Sequence, residues 1–283
     1  MDEFSVAVQK FALLPKLLYF SSKDRLGRNI AYGIREHAMG AISNGIALHG
    51  GLEAYCSTFF SFENYMTPAM RLSSMMDNHV LYYFTHDTIA VGEDGPTHQP
   101  VEQLSTLRSM PNMLVARPCG VNEMYAMMQF YFNQDGPMSF VLPRQKVAYV
   151  EDNFKKALSG GYILHDEPNF DLTLVGCGSE VSLILQTAKL LQNKGIKAKV
   201  VSMPCTQIFD KKPKSYKNKV LDRSKPIFCI EASSDNIWYK YATGPENVFL
   251  MHDFGVSGEY HEVLKHFGYT PQQFARFVEK RLR

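Results

Sequence analysis

His79-Val80-Leu81-Tyr82-Tyr83-Phe84 runs directly into Thr85-His86-Asp87-Thr88-Ile89-Ala90-Val91-Gly92-Glu93-Asp94-Gly95-Pro96-Thr97-His98-Gln99-Pro100, and the fold class rests on the contrast between the two. The first part is an unbroken apolar run of strand length. A strand without polar alternation is buried on both faces, as the inner strands of parallel sheets are. The second part is rich in glycine and ionisable groups and precedes a helix predicted over 99–110. In an open α/β sheet, the crevice beyond the carboxyl ends of the strands is where ligands sit.

The same alternation repeats on either side. Upstream, small and apolar residues at helical spacing over 36–48 end in Gly50-Gly51, a helix stop. A strand over 54–59 and a helix over 65–75 come next. Downstream lie a strand at 113–116, a helix at 122–132 and a strand at 138–142. The pattern loosens over 143–169, which reads as an interdomain linker. A second series then begins with strands at 172–176 and 198–203 around a helix at 180–192. Strands at 227–230 and 248–251 and helices at 259–266 and 271–282 close it. The expectation is α/β throughout: two consecutive domains, 1–150 and 151–283, each a mostly parallel sheet with helices on both faces. Residues 1–28 form a lead-in without a clear period.

The composition agrees. A chain of 283 residues with 45% apolar and 20% charged residues can fill two cores. Its formal net charge of +2 is too balanced for a nucleic-acid partner, and Lys211-Lys212-Pro213-Lys214 reads as a solvated loop. The five cysteines contain no Cys-x-x-Cys, which argues against a disulfide framework or zinc site and for a reducing, cytoplasmic setting. The apolar stretch at 11–20 is too short to span a bilayer and lacks the flanks of a signal peptide, so no membrane association is expected.

Three clusters can carry chemistry. In Tyr32-Gly33-Ile34-Arg35-Glu36-His37, a glutamate entering a helix is ordinarily a partner for the helix dipole. The functional alternative is a carboxyl in a cofactor pocket, suited to proton exchange. In Ser57-Thr58-Phe59-Phe60-Ser61-Phe62-Glu63-Asn64-Tyr65, three aromatic residues spaced by three can share a face, as core or as a platform. The loop from Thr85 to Pro100 is the strongest. A loop gains little from two histidines and three acids unless they face a ligand. Neither His-x-x-x-His nor His-Glu-x-x-His occurs, so no metal site is expected in this chain.

Gly33-Ile34-Arg35-Glu36, Ser57-Thr58-Phe59, Thr85-His86-Asp87 and the string Gly92 to Pro100 resemble transketolase in order and separation. Gly178-Ser179-Glu180 and Phe254-Gly255 extend the resemblance into the second half. It implies a pyrimidine-binding domain followed by the C-terminal domain of a thiamine-diphosphate enzyme. Glu36 falls on the catalytic glutamate, which hydrogen-bonds the aminopyrimidine and favours the tautomer that removes the thiazolium proton. Phe59 falls on the residue packing against the pyrimidine ring, with Phe62 and Tyr65 completing the apolar wall. His86, Asp94 and His98 match sugar-contacting positions. Arg144 matches the phosphate-binding arginine, a role for which a rigid donor fork is suited. The implied reaction is two-carbon ketol transfer between ketose and aldose phosphates.

The sequence also departs from the family. It contains no Gly-Asp-Gly, the motif that with a later asparagine holds the Mg²⁺ or Ca²⁺ bridging the diphosphate. The Ser-Ala-Asp-Leu segment before Gly33 is missing, Pro143 replaces a common serine and Lys146 a common asparagine. The resemblance therefore implies only the pyrimidine part of the cofactor site. The expected partner is an N-terminal, diphosphate-binding polypeptide, joined in a homo-oligomer or heterotetramer, with the chain inactive alone. A different reading is a non-catalytic assembly subunit or a remnant with inherited motifs. Deoxyxylulose-phosphate synthase and dehydrogenase β subunits share the domain plan but fit the Gly92 to Pro100 string less well. Val175-Gly176-Cys177-Gly178-Ser179 reads as a tight strand-to-helix turn, in a second domain expected to serve dimer assembly.

Overall fold

The computed structural model describes residues 19–282. The lead-in 1–28 therefore lies largely outside the described residues. The first half runs α1 (Glu36–His49), β1 (Ala54–Phe59), α2 (Glu63–Met75), β2 (Val80–Thr85), α3 (Gln103–Ser109), β3 (Leu114–Ala116), α4 (Val121–Phe132) and β4 (Met138–Leu142). Its four strands are all parallel, in the order β1-β2-β4-β3. The apolar run that became β2 is an inner strand, as its lack of alternation requires. The register aligns three strand ends: Phe59 pairs with Thr85, and Thr85 with Leu142. The chain segments leaving these strands consequently emerge side by side.

Gly40 lets α1 lie close on α2, since a β-carbon there would fall 2.9 Å from both Ala69 and Met66. One face of the sheet is covered by a core including Met39, Met66, Phe84, Leu104 and Val141. The other carries Leu81, Ala126, Met127 and Phe140, and this core continues into the second half through Tyr162 and Ile208.

The second half contains α5 (Phe154–Ala157), β5 (Tyr162–His165), β6 (Leu172–Gly176), α6 (Glu180–Gln192), β7 (Ala198–Ser202), α7 (Thr206–Asp210), α8 (Lys214–Val220), β8 (Ile227–Ile230), β9 (Val248–Phe249), α9 (Tyr260–His266) and α10 (Pro271–Leu282). Its five strands are ordered β5-β7-β6-β8-β9, parallel except for β5. The expected two-domain α/β architecture with mostly parallel sheets is the architecture found.

Two expectations need correction. The 143–169 segment is not all linker, because β5 is an antiparallel edge strand of the second sheet. It is short and bulged between Ile163 and His165, so it lacks a legible period. The helix expected from residue 99 begins at Gln103 instead. Pro100 disfavours helical geometry at residue 99, and the Gln103 side chain accepts from the Val101 N–H at 2.9 Å. Among the described residues, no helix is long and apolar enough to cross a membrane. All five cysteines are free and buried.

Candidate active site

The segments that leave β1 and β2 build a cluster of rings at the carboxyl edge of the first sheet. Phe59, the last residue of β1, has its ring centroid 4.9 Å from His86, 6.0 Å from His98 and 5.9 Å from Phe62. Phe62 lies 5.3 Å from His98 and 6.2 Å from Tyr65. His86 is buried, whereas Phe59 is 37% and Tyr65 66% exposed. Large rings left open beside a buried imidazole form a surface on which a planar aromatic group can pack.

The loop after β2 folds back on itself to present its polar residues. The Thr88 hydroxyl accepts from the Ala90 N–H, and Gly92 and Gly95 take left-handed φ values of 79° and 76°. Arg144, two residues beyond β4, donates from Nη1 to Asp94 Oδ2 at 2.7 Å and to the Val91 carbonyl at 3.1 Å. The expected sugar-contacting acid and phosphate-binding arginine are thus neighbours. Thr97 Oγ1 and His98 Nδ1 are 2.9 Å apart. Arg144 also borders a cavity of about 940 Å³ between the two halves, lined by Val91, Met124, Lys146 and Tyr260 among others.

Glu36 stands apart from the rings. It is the first-turn acid of α1, half-buried, after a turn in which Gly33 adopts a φ of 67° and Arg35 Nη1 donates to the Tyr32 carbonyl. The structure does not bring its carboxylate into hydrogen-bond contact with the other expected site residues. What links it to them is α2, which packs on α1 and starts directly after Phe62.

Sequence reasoning missed two features beside this site. Glu63, at the start of α2, is fully buried; burial pushes its carboxyl up to about 7, offset in part by the Thr67 hydroxyl donating to Oε1 at 2.7 Å. The second is a buried ionic network joining the two halves. Arg117 bonds Asp87 at 2.7 Å, Glu180 at 2.9 Å and Glu231 at 2.6 Å, while Arg108 bonds Glu231 at 2.7 Å and Asp235 at 2.8 Å. Burial opposes the Glu231 carboxylate, but both guanidiniums outweigh it and hold the group well below the usual carboxylate range. Glu180 is pushed up by burial to about 7, with Arg117 opposing. Cys177 donates to Glu231 Oε1 at 3.0 Å, and burial raises its thiol well above the ordinary value. The available signal was a charged residue ending an apolar strand: Arg117 after Met113-Leu114-Val115-Ala116, and Glu231 after Ile227-Phe228-Cys229-Ile230.

Against known proteins, residues 8–149 match the family model described as transketolase, pyrimidine binding domain. Residues 160–270 match the transketolase-like TK C-terminal domain. The chain belongs to the transketolase family. It is 40% identical over 278 residues to the transketolase of Aquifex aeolicus, covering 95% of this chain and 40% of that one. It is 44% identical over 257 residues to transketolase 1 of Saccharomyces cerevisiae, with 90% and 37% covered. A transketolase structure from Pichia stipitis superposes with a TM-score of 0.90 at 39% identity, covering 94% of this chain and 40% of that chain. The chain therefore spans about 40% of the length of the transketolases it matches. A fold of the same extent occurs in a chain described as a split gene transketolase, inactive beta4 tetramer. The TM-score there is 0.75 at 21% identity, with 96% and 94% covered.

Proposed function

We propose that this chain is the pyrimidine-binding and C-terminal half (1–150 and 151–283) of a transketolase, completed by a separate diphosphate-binding polypeptide. The observation that carries this reading is the partly exposed ring cluster of Phe59, Phe62 and Tyr65 beside His86 and His98. Rings at this edge fit a planar pyrimidine, and the apolar wall excludes water from its polar contacts. Because the sequence contains no Gly-Asp-Gly, the Mg²⁺ or Ca²⁺ and the diphosphate are assigned to the partner. The existence of a split gene transketolase chain of the same extent supports the same division.

In this reading the cofactor supplies the electron sink for ketol transfer. Glu36 holds a proton at the pyrimidine, His86, Asp94 and His98 orient the donor hydroxyls, and Arg144 exchanges part of its Asp94 bond for the substrate phosphate. Positioned proton transfer of this kind contributes roughly 10²–10⁴-fold.

The first test is capture of the tagged chain from its own cells. A stoichiometric partner bearing a Gly-Asp-Gly segment, and ketol transfer by the pair but not by the chain alone, are expected. Glu36→Gln should then lower the turnover of the pair by about 10²-fold or more while leaving assembly intact. Turnover by the isolated chain, or full activity of the Glu36 variant, would refute the assignment.

A further inference from the structure

The loop that carries Asp94 and His98 belongs to the first domain by sequence but packs on both domains. Its two flanking apolar residues, Ile89 and Val101, are buried in the core of the second domain, among Leu174, Ile184, Phe228 and Phe274. The exit of the loop is tied there as well, since Ser234 N donates to the Val101 carbonyl at 2.9 Å.

Between these anchors, Gln99 is 3% exposed and its Nε2 donates twice. One acceptor is the Gly92 carbonyl at 3.1 Å, within the loop; the other is the Val256 carbonyl at 2.9 Å, from the second domain. Both partners are acceptors, which fixes the amide's orientation. The approach is close enough to require glycine on both sides. A β-carbon at Gly255 would overlap Gln99 Oε1, and one at Gly95 would overlap the Ser257 hydroxyl. The Gly255 backbone is not in the left-handed region, so its requirement is one of space alone.

We propose that Gln99 is a positioning residue, through which the 254–258 segment of the second domain sets the conformation of the 92–98 loop and so the affinity for the ketose phosphate. This rests on the functional reading above. It gives the second domain a part in substrate binding, carried by contacts to the residue that follows His98 of the ring cluster. Gln99 itself acts only by holding the turn from which Asp94 and His98 project. The amides of His98 and Gln99 both bond the Gly95 carbonyl, so the turn is the element under control.

The test uses Gln99→Leu, which keeps bulk but loses both donors, and Gly255→Ala, which attacks the same contact from the other domain. In the complex captured from cells, each should raise KM for the ketose phosphate about tenfold, with kcat within about threefold of wild type. The double variant should be little worse than either single one, because both break one contact. A merely structural role would lower thermal stability and yield without this split between KM and kcat. Hydrogen exchange on the full chain gives a readout independent of activity: in Gln99→Leu the backbone amides at positions 98 and 99 should exchange faster, with β2 and β6 unchanged. Unchanged loop exchange, or unchanged KM in an active complex, overturns the proposal. A wild-type complex without ketol transfer overturns the functional reading instead. Loop exchange that responds equally to Gln99→Leu and Gly255→Ala then still establishes the coupling between domains.

Discussion

The ring cluster and the buried ionic network take adjacent residues after β2, His86 and Asp87, and are built on opposite terms. Phe59, Phe62 and Tyr65 leave apolar surface open and rely on few partners, and the Arg144–Asp94 bond is more than a third exposed on both sides. Arg108, Arg117, Glu231 and Asp87 are almost wholly buried and each is held in at least one ion pair, though Arg108 Nε, Arg117 Nε and Asp87 Oδ1 make no hydrogen bond among the described residues. A surface that must take up a ligand keeps its groups available, at small cost in water. A network that joins two domains away from water must satisfy each charge, since one left without its partner is expensive.

The largest effect is expected where the burial is deepest. Glu231→Ala leaves two buried guanidiniums without their shared acceptor and should destabilise the chain by about 3–5 kcal/mol, read from urea midpoints. A loss below about 1 kcal/mol would mean that water reaches the network and the contrast fails.

Glu63 offers an intermediate case, as a buried acid next to the open rings. Its folded value of about 7 lies above the ordinary 4.5. The folded state therefore holds a proton that the unfolded state has released, and stability falls as pH rises between these values. Glu63→Gln should stabilise the chain at pH 8 by on the order of 1–3 kcal/mol and have little effect at pH 4. Equal effects at both pH values would remove titration as the cause.

The smallest effects belong to the open side. Asp94→Asn should cost less than about 1 kcal/mol in stability, because exposed ion pairs contribute little. Tyr65→Ala should fall within about 0.5 kcal/mol of wild type. Both should nonetheless lower activity in the captured complex, and stability losses as large as that of Glu231→Ala would make these residues structural.

What was legible in the sequence divides along the same line. β2 and β4 were readable because strands buried on both faces are continuous apolar runs. β5 was not, since a short bulged edge strand has no period to show. The site loop was conspicuous because ionisable groups in a glycine-rich turn seldom pack, although one of its acids, Asp87, belongs to the buried network. Arg108 and Arg117 were passed over, since a lone arginine near a helix or strand end resembles a solvated one until its partners are placed.

Local pattern was enough to establish the two α/β domains, the succession of their main strands along the chain, and the motif residues that mark the family, because periodicity and turn chemistry are properties of neighbouring residues. Bringing Phe59, His86 and His98 into one cluster took the folded sheet. Parallel register sets which strand ends coincide, and that depends on pairing between residues far apart in the chain. Folding also put the first domain's loop in the hold of the second domain's core. Burial of Ile89, Val101 and Gln99 against residues more than seventy positions away is a property of packing, which no local pattern encodes.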